Sequence, residues 1–112
     1  MTTLLVLYRA PDGGDDALAT LEARYRDEHL PLVAETPGLR STRVWRVSGS
    51  LGGETDLVLA AALDFEDRQA LDDGLRAEPM RAAARVLREI APGLATFLVL
   101  EDATDLLPGR AS

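Results

Sequence analysis

Residues 57–63 read Leu-Val-Leu-Ala-Ala-Ala-Leu, without one polar side chain. A β-strand points successive side chains to opposite faces, so a strand of this composition is apolar on both. Residues 4–7 (Leu-Leu-Val-Leu) and 97–100 (Phe-Leu-Val-Leu) share the property. An antiparallel sheet with one face in water would alternate apolar and polar residues instead. Helices from the same chain cover one face only. The simplest cover for the other is a second sheet, so the pattern predicts a homodimer whose two sheets face each other. A monomer of this kind would expose an apolar patch of a size that soluble monomers rarely carry.

The remaining segments place these strands in a definite order. The run over residues 4–9 ends at Pro11-Asp12-Gly13-Gly14, a strand followed by a turn. Asp15 and Asp16 sit where a helix N-terminus favours negative charge, and Leu18, Leu21, Tyr25 and His29 (or Leu30) follow at helical spacing, predicting a helix over residues 15–29. Pro31 supplies no amide proton for the Asp27 carbonyl and presses Leu30 toward an extended conformation. A break or kink is expected near His29, with a short further helical turn before Pro37-Gly38. Residues 40–47 read as a second strand, a glycine-rich connection follows, and residues 56–63 form the third. Asp64 and Asp67 resemble the cap of a short helix ending at Gly74. Pro79 suits the first turn of a longer helix, with Met80, Ala83, Ala84, Leu87 and Ile90 on one face, stopped by Pro92-Gly93. Residues 96–100 are the last strand. The order is βαββαβ, an α+β fold of the ferredoxin-like type: a four-stranded antiparallel sheet with helices on one face. Residues 1–102 make a single domain, and residues 103–112 read as a C-terminal tail.

Composition removes several function classes. A chain of 112 residues is one domain with room for a single core. No apolar run approaches the ~20 residues that span a bilayer, and Met1-Thr2-Thr3-Leu4 begins neither a basic nor an apolar leader. A cytoplasmic protein without a membrane partner is expected. A net charge of −7 argues against a nucleic-acid partner. Cysteine, lysine and asparagine are absent, which leaves no thiolate nucleophile, thiolate metal site or lysine Schiff base. One histidine with carboxylates is an unusual donor set for zinc. The expectation is neither metal nor cofactor.

Against that sparse inventory, Tyr25 and His29 stand out. The sole histidine and one of two tyrosines lie four residues apart on one helical face. Imidazole titrates near neutrality and serves as acid and base in one cycle, whereas a structural histidine would cap the broken helix or bond the carbonyl freed by Pro31. Tyr25 either donates to a substrate oxygen or is a core tyrosine with its hydroxyl at the boundary. Tyr8 and Arg9 end the first strand on opposite faces, so only one of them points to any given cleft; Arg9 is either a carboxylate or enolate binder or a solvent-exposed strand end. Trp45 shares a strand face with Arg43, as an aromatic floor for a flat ligand or as a tryptophan in the sheet–sheet contact. Met80 and Phe65 line either the cleft or the core. The arginines at 40, 43 and 46 are expected to pair with acids. Glu28 points about 100° away from His29 around the helix, and Glu22 with Arg26 is expected to form an exposed pair.

Tyr8-Arg9 on the first strand, Tyr25 to Leu32 in the pattern Tyr-x-x-x-His-x-Pro-Leu, and Pro37-Gly38-Leu39 ahead of the second strand resemble the EthD family, named for ethyl tert-butyl ether degradation. The topology of that family covers residues 3–101 and its motifs lie in the first 40. The resemblance implies a dimeric α+β barrel with a cleft between sheet and helices. It also implies a superfamily holding muconolactone-type isomerases, polyketide cyclases, cofactor-free monooxygenases and haem-binding members, among which architecture does not choose. The functional reading is cofactor-free proton transfer, of isomerase, cyclase or dehydratase type, on a hydrophobic oxygenated metabolite. His29 would move the proton, Tyr25 would steady the oxyanion and Arg9 would hold a remote anionic group, with Tyr8, Trp45 and Met80 as further ligand contacts. The alternative is a non-catalytic ligand-binding or accessory module of a degradation or biosynthesis pathway. A haem-binding variant would use His29 as axial ligand; a colourless protein with no Soret shift on haem addition would count against it.

Overall fold

The computed structural model describes residues 1–101, so the tail expected over residues 103–112 lies outside the described residues. Strand β1 (Thr2–Arg9) leads into α1 (Gly14–Arg24), a turn of π-helix (Tyr25–His29) and α2 (Leu30–Ala34). Strands β2 (Leu39–Arg46) and β3 (Leu57–Phe65) form a hairpin, followed by α3 (Arg68–Arg76), α4 (Glu78–Ile90) and β4 (Ala95–Glu101). The sheet runs β2-β3-β1-β4 with every neighbouring pair antiparallel. This is the ferredoxin-like βαββαβ plait.

Several strand ends shift by one or two residues, and two expected boundaries moved for tertiary reasons. Strand β3 continues through Phe65, which makes Asp64 a strand residue, and Asp67 alone caps α3 by accepting from the Ala70 amide at 2.8 Å. Helix α3 also continues past Gly74 to Arg76. Gly74 is there for closeness, not for termination. A Cβ at this position would sit 2.9 Å from the Phe65 ring and 3.2 Å from Thr36 Cγ2. Phe65 is fully buried and has nowhere to retreat. Overpacking of this kind costs roughly 1–3 kcal/mol, against about 1 kcal/mol gained in helix propensity. Gly74→Ala should therefore lower stability by about 1 kcal/mol net, a fall in Tm of roughly 4–8 °C for a domain of this size. An unchanged or higher Tm in a thermal melt would show that the Phe65 contact is looser than the geometry says.

The register sorts the strand residues onto two faces. Leu4 pairs with Leu63 and Val99, and Val6 with Ala61 and Phe97, on the side the helices occupy. Tyr8, Leu59 and Phe65 complete the buried part of this face, against Leu21, Val33, Leu71, Ala83 and Leu87 from the helices. The reverse side carries Leu5, Leu7, Ala60, Ala62, Leu98 and Leu100. No helix of the described residues covers it: Leu98 and Leu100 are 42% and 47% exposed. The sheet is apolar on both faces, as its strand sequences require.

Edge strand β2 carries the arginines, and each meets an acid: Arg40 with Glu66 at 3.9 Å, Arg43 with Asp64 at 3.9 Å, Arg46 with Glu22 at 2.6 Å. The last contact replaces the expected Glu22–Arg26 pair. Helix α1 lies near enough to β2 for Glu22 to bridge across, and Arg26 turns to its neighbour Asp27 at 2.9 Å. Solvent screens these surface pairs, and they contribute little stability.

Candidate functional site

Pro31 creates the local geometry of the site. A helix continuing through it has no donor for the Asp27 carbonyl. The chain does not break. The Leu30 amide donates to the Tyr25 carbonyl, five residues back, which widens one turn into a π-helix. Helix α2 then resumes with Pro31 in its first turn, where a missing amide proton costs nothing. The kink expected at His29 is thus a widened turn, a device that recurs at functional sites. Within this turn the Tyr25 and His29 rings lie side by side, with centroids 4.9 Å apart and planes tilted by 31°.

Strand β1 brings the second tyrosine to this pair. Tyr8 meets Tyr25 edge-on at 5.1 Å, and its hydroxyl donates to the Tyr25 hydroxyl at 3.2 Å. A phenol that accepts one hydrogen bond keeps its own proton to donate. Helix α4 supplies the other anchor: His29 Nδ1 lies 3.0 Å from the Ala83 carbonyl oxygen. A carbonyl only accepts, so Nδ1 carries the proton and Nε2 presents its lone pair. The histidine does bond a backbone carbonyl, but that of Ala83 across the helix layer and not the one freed by Pro31. Among the described residues Nε2 has no protein partner, and the one buried, unpartnered side-chain polar atom is Thr36 Oγ1. Nε2 therefore opens into the cleft that His29 lines.

Burial sets the charge state. Desolvation lowers the His29 pKa, and the Ala83 hydrogen bond, which favours the cation, offsets this only in part. The imidazole is neutral at pH 7. Desolvation raises the Tyr25 pKa, with a smaller lowering from the Tyr8 hydrogen bond. Tyr8 is raised further by burial, by the neighbouring Tyr25 and by donating its own proton. Both phenols stay protonated. The site holds a neutral base beside a neutral hydrogen-bond donor.

The cleft itself has a volume of about 680 Å³ and lies between the sheet and the α2–α4 helices. Leu4, Val6 and Leu63 form its floor, Met80 and the tyrosine–histidine group its inner wall. Phe97 and Val99 of edge strand β4 form the outer wall, and Arg81, Arg85 and Arg88 of α4 stand at its rim. Of the residues singled out from sequence, Tyr8, Tyr25, His29 and Met80 come together here. Arg9 and Trp45 do not. Arg9 follows Tyr8 onto the other face of β1 and donates to the Gly93 carbonyl, since strand alternation allows only one of the two into the cleft. Trp45 pairs with Ala60 on the uncovered face, beneath the Arg43 guanidinium at 5.2 Å. Phe65 is core. The arginine row and the β4 wall were missed. Positions 81, 85 and 88 flank the apolar stripe of α4 at helical spacing, a legible signal, but which flank borders a cleft is not. Among the described residues no group of three His, Asp or Glu side chains converges to hold a metal ion, and no helix is long and apolar enough to cross a membrane.

Sheet, helix layer and cleft define a ferredoxin-like α+β protein with a cavity of small-molecule size. Within that class the chain is similar to an EthD family protein from Bacillus halodurans C-125, at 27% identity and TM-score 0.83, covering 92% of this chain and 99% of that one. The expected resemblance to the EthD family is shown by this match. A dimeric protein of unknown function and ferredoxin-like fold from Bacteroides fragilis shares the fold at 17% identity and TM-score 0.67, over 90% of this chain and 95% of that one. A variant of SnoaB, a cofactor-independent oxygenase from Streptomyces nogalater, does so at 16% identity and TM-score 0.59, over 94% of both chains. No family model matches the chain, and no curated protein does.

Proposed function

We propose that this protein is an EthD-like homodimer that performs cofactor-free proton transfer on a hydrophobic, oxygen-bearing small molecule. The observation that carries the reading is the His29–Ala83 bond, which leaves a neutral imidazole with its Nε2 lone pair facing an apolar cleft. Nε2 takes a proton from carbon next to a substrate carbonyl. The resulting imidazolium keeps its Nδ1 proton on Ala83, and the enolate oxygen accepts from the Tyr25 hydroxyl. Returning the proton from Nε2 to another position completes an isomerisation, or sets up a cyclisation or dehydration. Tyr8 holds the Tyr25 hydroxyl in place. The homodimer is supported by the uncovered apolar face of the sheet and by the dimeric description of the Bacteroides fragilis neighbour.

The same His29–Ala83 bond favours a second reading, a ligand-binding or accessory module in which His29 is structural. A thermal-shift screen of aromatic and lactone metabolites against wild type and His29→Ala separates the two. Ligands that stabilise only the wild type, and are turned over by it, support proton transfer. Equal shifts in both proteins, without turnover, would sink the catalytic reading and leave the binding module.

A further inference from the structure

The arginines at the rim of the cleft differ from those elsewhere in the chain. The protein has 19 acidic residues against 12 cations, so cations find partners readily. Every described arginine except Arg81 and Arg88 is held by a carboxylate or, for Arg9, by the Gly93 carbonyl. Arg81 and Arg88 make neither an ion pair nor a side-chain hydrogen bond among the described residues. Both line the cleft. Between them Arg85 is occupied by Glu78 at 2.9 Å. Among the described residues no aspartate or glutamate lines the cleft.

Helix spacing explains the arrangement. Residues 81, 85 and 88 fall on one flank of α4, separated from the Met80–Ala83–Leu87 stripe by the small side chain of Ala84. The two guanidiniums, without an ion pair among the described residues, therefore stand at the mouth of a cavity whose floor is Leu4, Val6 and Leu63 and whose far wall is Phe97 and Val99. A planar fork of donors beside an apolar recess matches a carboxylate on a hydrophobic body. Coulombic attraction at such a rim is stronger than in open water because the apolar walls lower the local dielectric.

We propose that the ligand of this cleft is an amphipathic organic anion, its apolar body in the recess against Phe97 and its carboxylate held by Arg81 and Arg88. The inference rests on the small-molecule reading of the cleft and deepens it by assigning the ligand's charge. The anion-holding role expected of Arg9 passes to α4.

The test uses a matched pair of probes, 2-naphthoate and the uncharged 2-acetylnaphthalene, with binding followed by fluorescence at low salt. Wild type should bind the carboxylate at least 10-fold tighter than the ketone. The Arg81→Gln/Arg88→Gln double variant should lose that preference while holding the ketone as before, since both side chains are at the surface and the recess is untouched. A control carrying Arg40→Gln and Arg68→Gln, with the same change in net charge away from the cleft, should keep the preference. Equal binding of both probes to wild type would overturn the anion assignment and leave the apolar cleft standing. Loss of preference in the control to the same extent would also overturn it, by tracing the effect to net charge. If neither probe binds wild type at millimolar concentration, the small-molecule reading itself falls, and the assignment with it.

Discussion

Leu98→Asp is expected to convert the proposed homodimer to a monomer at micromolar concentration, with the fold retained. Leu98 pairs directly with Leu5 on the uncovered face of the sheet, beside Leu7 and Leu100. In the proposed dimer this face would meet its own copy, so a two-fold axis would introduce the charge twice. The cost of burying a carboxylate without a partner is several kcal/mol per ion. At about 1.4 kcal/mol per tenfold, even one such penalty weakens association by roughly three orders of magnitude. Helix-side packing does not involve Leu98, so far-UV circular dichroism should be unchanged. Size-exclusion chromatography with light scattering reads the result. A wild type that elutes as a monomer, or a variant that remains dimeric, would remove the apolar face from the assembly argument.

His29→Ala should lower turnover of a cleft substrate by about 10²–10⁴-fold, the range over which a positioned general base acts. The substitution also deletes the Nδ1–Ala83 bond, so the folded state must be verified by its melting curve. The pH profile adds a readout that structural damage would not mimic. Because burial lowers the His29 pKa in the folded protein, the basic form is present across neutral pH, and the acidic limb of kcat/KM should fall below the unperturbed value of about 6.5. Stability follows the same sign. The unfolded chain takes up the proton first as pH falls, so the contribution of neutral His29 is complete above about pH 6.5 and is lost as pH falls toward the folded-state pKa. His29→Ala should flatten that part of the stability curve. Full turnover in a folded His29→Ala protein would end the proton-transfer reading. An acidic limb above pH 7 would mean that the titrating base is another group, or that the imidazole is better solvated than its position allows.

Much of the fold was legible because its signals are local. Proline, glycine and aspartate punctuate the chain at the turns, and the apolar runs lie where strands form. The moved boundaries have tertiary causes. Asp64 looked like a cap, yet it lies within β3, where it accepts hydrogen bonds from Thr3 at 2.5 Å and Ser41 at 2.7 Å. Gly74 looked like a helix stop until Phe65 took the space its side chain would need. Glu22 found Arg46 on β2 and not Arg26 on its own helix, a choice invisible without the packing of α1 on the sheet.

The site divides in the same way. The spacing of Tyr25 and His29, and the disturbance at Pro31, were in the sequence; that the disturbance would be absorbed as a π turn was not. An isolated helix has several ways to accommodate a proline, and the one taken is visible only in the folded chain. Strand alternation required that Tyr8 and Arg9 part company, but only the helix layer decided that Tyr8 would face the histidine. Trp45 went to the other face for the same reason. The sequence by itself determined the sheet with two apolar faces, the order of elements and the pairing of Tyr25 with His29, because each depends on residues close together in the chain. The tertiary structure alone decided the His29 tautomer, the tyrosine pair and the placement of Arg81 and Arg88 at the cleft. Those depend on contacts such as Tyr8–Tyr25 and His29–Ala83, between residues 17 and 54 positions apart, which no local pattern records.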